Sequence, residues 1–62
     1  MATWINAKTG DTITTNGSTY TVTKNGESIT TDVSKWCISG ELWVKNDIRS
    51  GYYTEFLLKE KN

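Results

Sequence analysis

Thr12-Ile13-Thr14-Thr15-Asn16-Gly17-Ser18-Thr19-Tyr20-Thr21-Val22-Thr23-Lys24-Asn25-Gly26-Glu27-Ser28-Ile29-Thr30 is the stretch on which the reading of this chain turns. It carries two Asn-Gly pairs set between runs rich in β-branched residues. Asn-Gly accepts positive φ at both central positions of a type I′ turn, whose twist matches that of the flanking strands, so each pair reads as a two-residue hairpin loop. Counting outward from Asn16-Gly17, Thr15 faces Ser18, Ile13 faces Tyr20 and Thr12 faces Thr21. From Asn25-Gly26, Lys24 faces Glu27, Val22 faces Ile29 and Thr21 faces Thr30. Alternation then sorts the side chains: Ile13, Tyr20, Val22, Ile29 and Val33 fall on one face, and Thr12, Thr14, Thr19, Thr21, Thr23, Ser28, Thr30 and Asp32 on the other. The three-stranded meander has an apolar side and a hydroxyl side.

Outward from the meander the signals are shorter. Residues 1–9 carry one bulky apolar pair, Trp4-Ile5, which suits an edge strand or a cap over the core, before Gly10-Asp11 turns the chain. Val33 and Trp36 fall on opposite parities, so a bend near Ser34-Lys35 is expected, with residues 35–38 as a strand that returns Trp36 and Ile38 to the core. After a turn at Ser39-Gly40, residues 41–45 read as a further strand with Leu42 and Val44 on one side and Trp43 on the other. Asn46-Asp47-Ile48 suits a short 3₁₀ turn. In residues 52–61 alternation groups Tyr52, Thr54, Phe56 and Leu58, whereas helical spacing groups Tyr52, Tyr53, Phe56, Leu57 and Glu60. The β-forming Tyr-Tyr-Thr run and the need to close a sheet edge favour the strand over a helix supported by Glu55 and Lys59.

A chain of 62 residues is one domain with a small stability margin. It has one cysteine, Cys37, and no histidine, so neither an internal disulfide nor the ordinary zinc set is on offer. Trp4, Tyr20, Trp36, Trp43, Tyr52, Tyr53 and Phe56 must carry much of the packing, each large ring burying roughly 150–250 Å². Seven basic and seven acidic residues cancel, which disfavours a protein that tracks a phosphate backbone. No apolar stretch approaches the ~20 residues of a membrane span, and the amino terminus lacks the features of a signal peptide. A cytoplasmic chain that does not engage a membrane is the expectation, and a lone thiol fits a reducing compartment.

From Lys24 onward the order of elements resembles a small SH3-like barrel of the bacterial and phage type. Lys24-Asn25-Gly26-Glu27-Ser28-Ile29 resembles the turn and strand that open the central sheet of such domains, and Gly40-Glu41-Leu42-Trp43-Val44 resembles their G-x-x-W-V strand. Asn46-Asp47-Ile48 then stands in the place of the 3₁₀ turn before the last strand. The resemblance covers a little over half the chain. It implies an all-β, SH3-like barrel of five to six antiparallel strands acting as a non-catalytic binding module without a cofactor. It also implies a phage or mobile-element origin with a host protein as partner, or, as the alternative, a peptidoglycan-binding module of a lytic enzyme. Single-stranded nucleic-acid binding by stacking is a third reading, short of the usual basic groove.

Catalysis has little to rest on: there is no base beside Cys37, which reads as core filler, and the carboxylates are dispersed. The five glycines mark turns and form no phosphate-cradling motif. On the strand reading Trp43, Tyr53 and Leu57 lie on the parity opposite to Leu42, Val44, Phe56 and Leu58, leaving both sides of the last hairpin apolar. The expected partner-binding surface is therefore Trp43, Tyr52, Tyr53 and Leu57, with Lys45 and Arg49 at a polar rim. An oligomer interface would satisfy the same pattern. The hydroxyl face suggests water ordering against ice, but threonine is also the ordinary choice for a solvent-facing strand position.

Overall fold

The computed structural model describes residues 1–53 and 55–61. Five strands, β1 (Ala2–Asn6), β2 (Thr12–Asn16), β3 (Thr19–Lys24), β4 (Glu27–Asp32) and β5 (Phe56–Lys61), form one antiparallel sheet in the order β4-β3-β2-β1-β5. A 3₁₀ turn at Ser34–Trp36 and one helix, α1 (Gly40–Arg49), lie between β4 and β5. The protein is mostly β, and its sheet is open, with β4 and β5 at its two edges. Residues 1–9 thus supply an inner strand: Trp4 pairs with Ile13 on one side and Leu58 on the other, and is only 4% exposed.

The second hairpin has the expected register, Lys24 opposite Glu27 and Val22 opposite Ile29, with Asn25 and Gly26 at φ 53° and 81° as a type I′ turn requires. The first is displaced by one residue. Asn16 ends β2 and pairs with Thr19, so the loop is Gly17-Ser18 and Ile13 faces Val22, where the Asn-Gly count had placed Tyr20. Gly17 alone is at positive φ, 63°, the pattern of a type II′ turn with glycine first. The displacement is held from outside the hairpin: Ser18 O accepts from the Val33 amide at 2.8 Å and Gly17 O from the Gly40 amide at 2.9 Å. Moving the loop by one residue changes each partner by two, so every side chain keeps its face. Ala2, Trp4, Ile13, Tyr20, Val33 and Val44 form one buried cluster, while Thr3, Thr14, Thr21 and Thr30 stand in a single cross-strand row on the uncovered face.

Residues 35–38 are not a strand. The Asp32 carboxylate accepts from the Ser34 amide at 2.8 Å, and the Trp36 and Cys37 amides bond back to Val33 O and Ser34 O, which curls the chain as soon as β4 ends. Ile38 packs against the core as expected, but Trp36 is 48% exposed and Cys37 is exposed at φ 58°, so neither fills it.

Residues 41–45, expected as a strand, lie within α1. Ser39 caps it, its hydroxyl accepting from the Leu42 amide at 3.1 Å; Glu41 lies in the first turn and Arg49 in the last, each complementing the helix dipole. The helix buries Gly40 and Val44, with Trp43 and Ile48 packed at the margin of the core. Asn46-Asp47-Ile48 continues it, so the 3₁₀ turn precedes the helix instead of following it. In the last segment β5 begins at Phe56, and Tyr52 and Tyr53 belong to the connection before it; Thr54 lies outside the described residues.

Candidate functional site

The helix sets the geometry of one end of the molecule. Its first residue sits on β3: a side chain at Gly40 would place Cβ only 2.2 Å from Thr19 O. Ten residues at ~1.5 Å per residue carry the chain about 15 Å to the other end of the sheet. There the carboxyl-terminal carbonyls are capped in sequence, Asn46 O by the Ser50 amide at 3.0 Å, Ile48 O by Gly51 at 3.1 Å and Asp47 O by Tyr52 at 2.9 Å. The last of these bonds fixes where Tyr52 begins.

Tyr52, Tyr53 and Phe56 follow as a chain of edge-to-face rings. Tyr52 and Tyr53 have centroids 4.8 Å apart at 77°, and Tyr53 and Phe56 5.7 Å apart at 74°. Tyr53 and Phe56 pack against the core, whereas Tyr52 is 75% exposed. The rings form one wall of a cleft of about 380 Å³ whose other residues are Asn6, Thr9, Asp11, Val22 and Lys24.

The opposite wall is a rigid turn. The Asn6 side-chain carbonyl accepts from the Lys8 amide at 2.9 Å and the Thr9 amide at 3.2 Å, the Thr9 hydroxyl accepts from the Asp11 amide at 3.2 Å, and Asn6 N donates to Asp11 O at 2.9 Å. An ion pair of 3.1 Å from Lys8 to Glu55 spans from this turn to the segment entering β5. Both partners are well exposed, so the pair adds little to the stability of the two walls.

Burial, first, and then the Tyr20 hydroxyl and the Asp47 carboxylate hold the Tyr53 phenol well above the ordinary tyrosine range. Asp47 is itself shifted up by desolvation. Tyr53 is thus a neutral wall residue packed against the core, and Tyr52 is the exposed ring at the mouth.

The six residues expected at a partner surface do not form one surface. Tyr52 and Tyr53 meet in the cleft. Trp43 is half-buried on α1 and meets Trp36 edge-on, centroids 5.7 Å apart, with the Lys35 ammonium 4.2 Å from the Trp36 ring centre. Leu57 is 67% exposed on the hydroxyl face, opposite Ile5. Lys45 is bound to Glu41 at 3.0 Å and Arg49 to the Asn46 amide oxygen, so both are engaged along the exposed side of α1. Conversely, Asn6, Thr9, Asp11 and Lys24 line the cleft without having been singled out. Their turn character was visible in Asn6-Ala7-Lys8-Thr9-Gly10-Asp11, but their nearness to Tyr52 depends on α1.

Among the described residues, no group of three or more metal-ligating side chains gathers, and no helix is long and apolar enough to cross a membrane. No family model, curated protein or solved structure matches the chain.

Proposed function

We propose that the protein is a non-catalytic binding module that engages a protein partner through the tyrosine cleft. The exposed Tyr52 ring, standing edge-on against the partly buried Tyr53 at the mouth of the cleft, is the observation that carries this reading. Tyrosine supplies a large amphipathic contact area with little rotamer freedom to lose, and such anchors dominate protein interfaces. Aromatic walls suit an inserted apolar side chain, and Asp11 and Lys24, one of each sign, suit polar main-chain or side-chain groups around it. The mixed rim gives less support to a nucleic acid, which asks for a run of cations. A host protein as partner, with peptidoglycan as the other form, is the idea the SH3-like resemblance supplied; its G-x-x-W-V segment is helical here and the sheet is open, so the reading rests on the cleft and not on the resemblance.

Affinity capture with the wild-type chain and with Tyr52→Ala tests the proposal. The expected result is a defined partner retained by the wild type and depleted at least about tenfold with the variant, the loss of one anchor ring. The circular dichroism of Tyr52→Ala should be unchanged, because the side chain it removes is mostly exposed. A partner retained equally by both chains, or retention on peptidoglycan insensitive to Tyr52, would contradict it.

A further inference from the structure

The two edges of the sheet are unlike. In β5 the register breaks between Trp4–Leu58 and Thr3–Glu60, leaving Lys59 as a bulge, and Lys59 and Glu60 add charge; these are the usual guards of a sheet edge. β4 has neither. Between its end residues Glu27 and Asp32 the run is Ser28-Ile29-Thr30-Thr31, uncharged, free of proline and in regular register with β3. Among the described residues, no strand pairs with its outer side.

The phase of the ladder says which groups that outer side presents. A type I′ turn closes on a pair that exchanges both main-chain bonds, here Lys24 and Glu27, and such pairs alternate with non-bonded ones. Val22–Ile29 and Tyr20–Thr31 are then bonded pairs. Thr23–Ser28 and Thr21–Thr30 are the close, non-bonded ones, and the hydroxyl contacts of 2.9 Å and 2.8 Å fall at these two positions. Ser28 and Thr30 accordingly aim their N–H and C=O away from β3. Between them Ile29, on the helix side of the sheet, is 69% exposed, while α1 packs chiefly on β2 and β3.

We propose that β4 pairs with β4 of a second copy of this chain, antiparallel, about a two-fold axis at Ile29. Main-chain phase permits this register, since Ser28 meets Thr30 of the partner, both with outward groups, and each such pair exchanges its two bonds. Ile29 then meets its own copy at a close pair and both lose their exposure to water. Phase forbids the neighbouring register that would set Glu27 against Asp32, because it would oppose outward with inward groups. In the permitted register Glu27 faces Thr31, so no like charges are opposed. The zero net charge adds no repulsion between copies, and the guarded β5 edge ends the assembly at two. One six-residue strand is a small contact beside the ~1,200 Å² of tight interfaces, so the dimer forms in the micromolar to millimolar range.

Sedimentation equilibrium of the full chain across that range is the test, with Ile29→Lys and with a synthetic chain N-methylated at Thr30, which removes an outward donor while leaving every side chain in place. The expected result is a monomer–dimer equilibrium for the wild type, weakened at least about tenfold by each change, with unaltered circular dichroism. A wild-type chain that remains monomeric at millimolar concentration overturns the proposal, including the case in which this edge accepts a peptide of another protein. A dimer that survives N-methylation overturns it as well, because its contact would not be strand pairing.

Discussion

Single residues show where pattern and environment part. Thr15 belongs by type with the hydroxyl face, yet alternation puts it inside, where it is 2% exposed; its hydroxyl accepts from the Ala2 amide at 3.0 Å and bonds Ala2 O at 3.3 Å. Parity was the stronger guide there. Cys37 went the other way, because a residue read as a small buried hydrophobe lies exposed in the left-handed region at the end of the 3₁₀ turn. Tyr53 yields a prediction. Its neutral form is favoured in the folded protein, so the stability it contributes is complete below the ordinary tyrosine value of about 10 and is lost as pH rises above it. Denaturant titrations at a series of alkaline pH values should therefore show stability falling with pH, and Tyr53→Phe should reduce that slope. An unchanged slope would mean that the phenol is not held neutral.

At the scale of elements, the strands of the meander were legible, whereas the inner place of β1 and the helix were not. Two Asn-Gly pairs and strict alternation carry enough information for β2, β3 and β4, and the one-residue displacement of the first loop left every face intact. Glu41-Leu42-Trp43-Val44-Lys45 is too short for alternation to exclude a helix, and its tryptophan and valine favoured the strand. The contrary signals were present: Ser39 at a cap position, Glu41 and Lys45 four residues apart, and Val44 with Ile48 at helical spacing. They are weak singly, and what decides the matter is non-local, namely the fit of Gly40 onto β3. Gly40→Ala makes this measurable. On propensity alone it should stabilise a helix by up to ~1 kcal/mol. Here the added carbon meets backbone at Thr19, which cannot rotate away, so the expected outcome is a loss of about 1–3 kcal/mol in chemical denaturation. A gain in stability would show that α1 does not dock as described.

For the molecule as a whole, the arrangement of binding residues follows from that helix. Tyr52 and Tyr53 were candidates on the strand reading, which placed them with Trp43 and Leu57. The helix instead separates Trp43, packed near its first turns, from the tyrosines beyond its last, and brings the latter to Asp11 and Lys24. The uncovered hydroxyl face and the β4 edge are left as different surfaces with different chemistry. The central claim, that partner binding takes place in the tyrosine cleft, is tested most directly by a backbone amide NMR titration of the labelled chain with the captured partner. The largest shift changes are expected at Asn6, Thr9, Asp11, Lys24, Tyr52, Tyr53 and Phe56. Changes centred on Trp36 and Trp43, or on the threonine row of the open face, with the cleft unmoved, would contradict it.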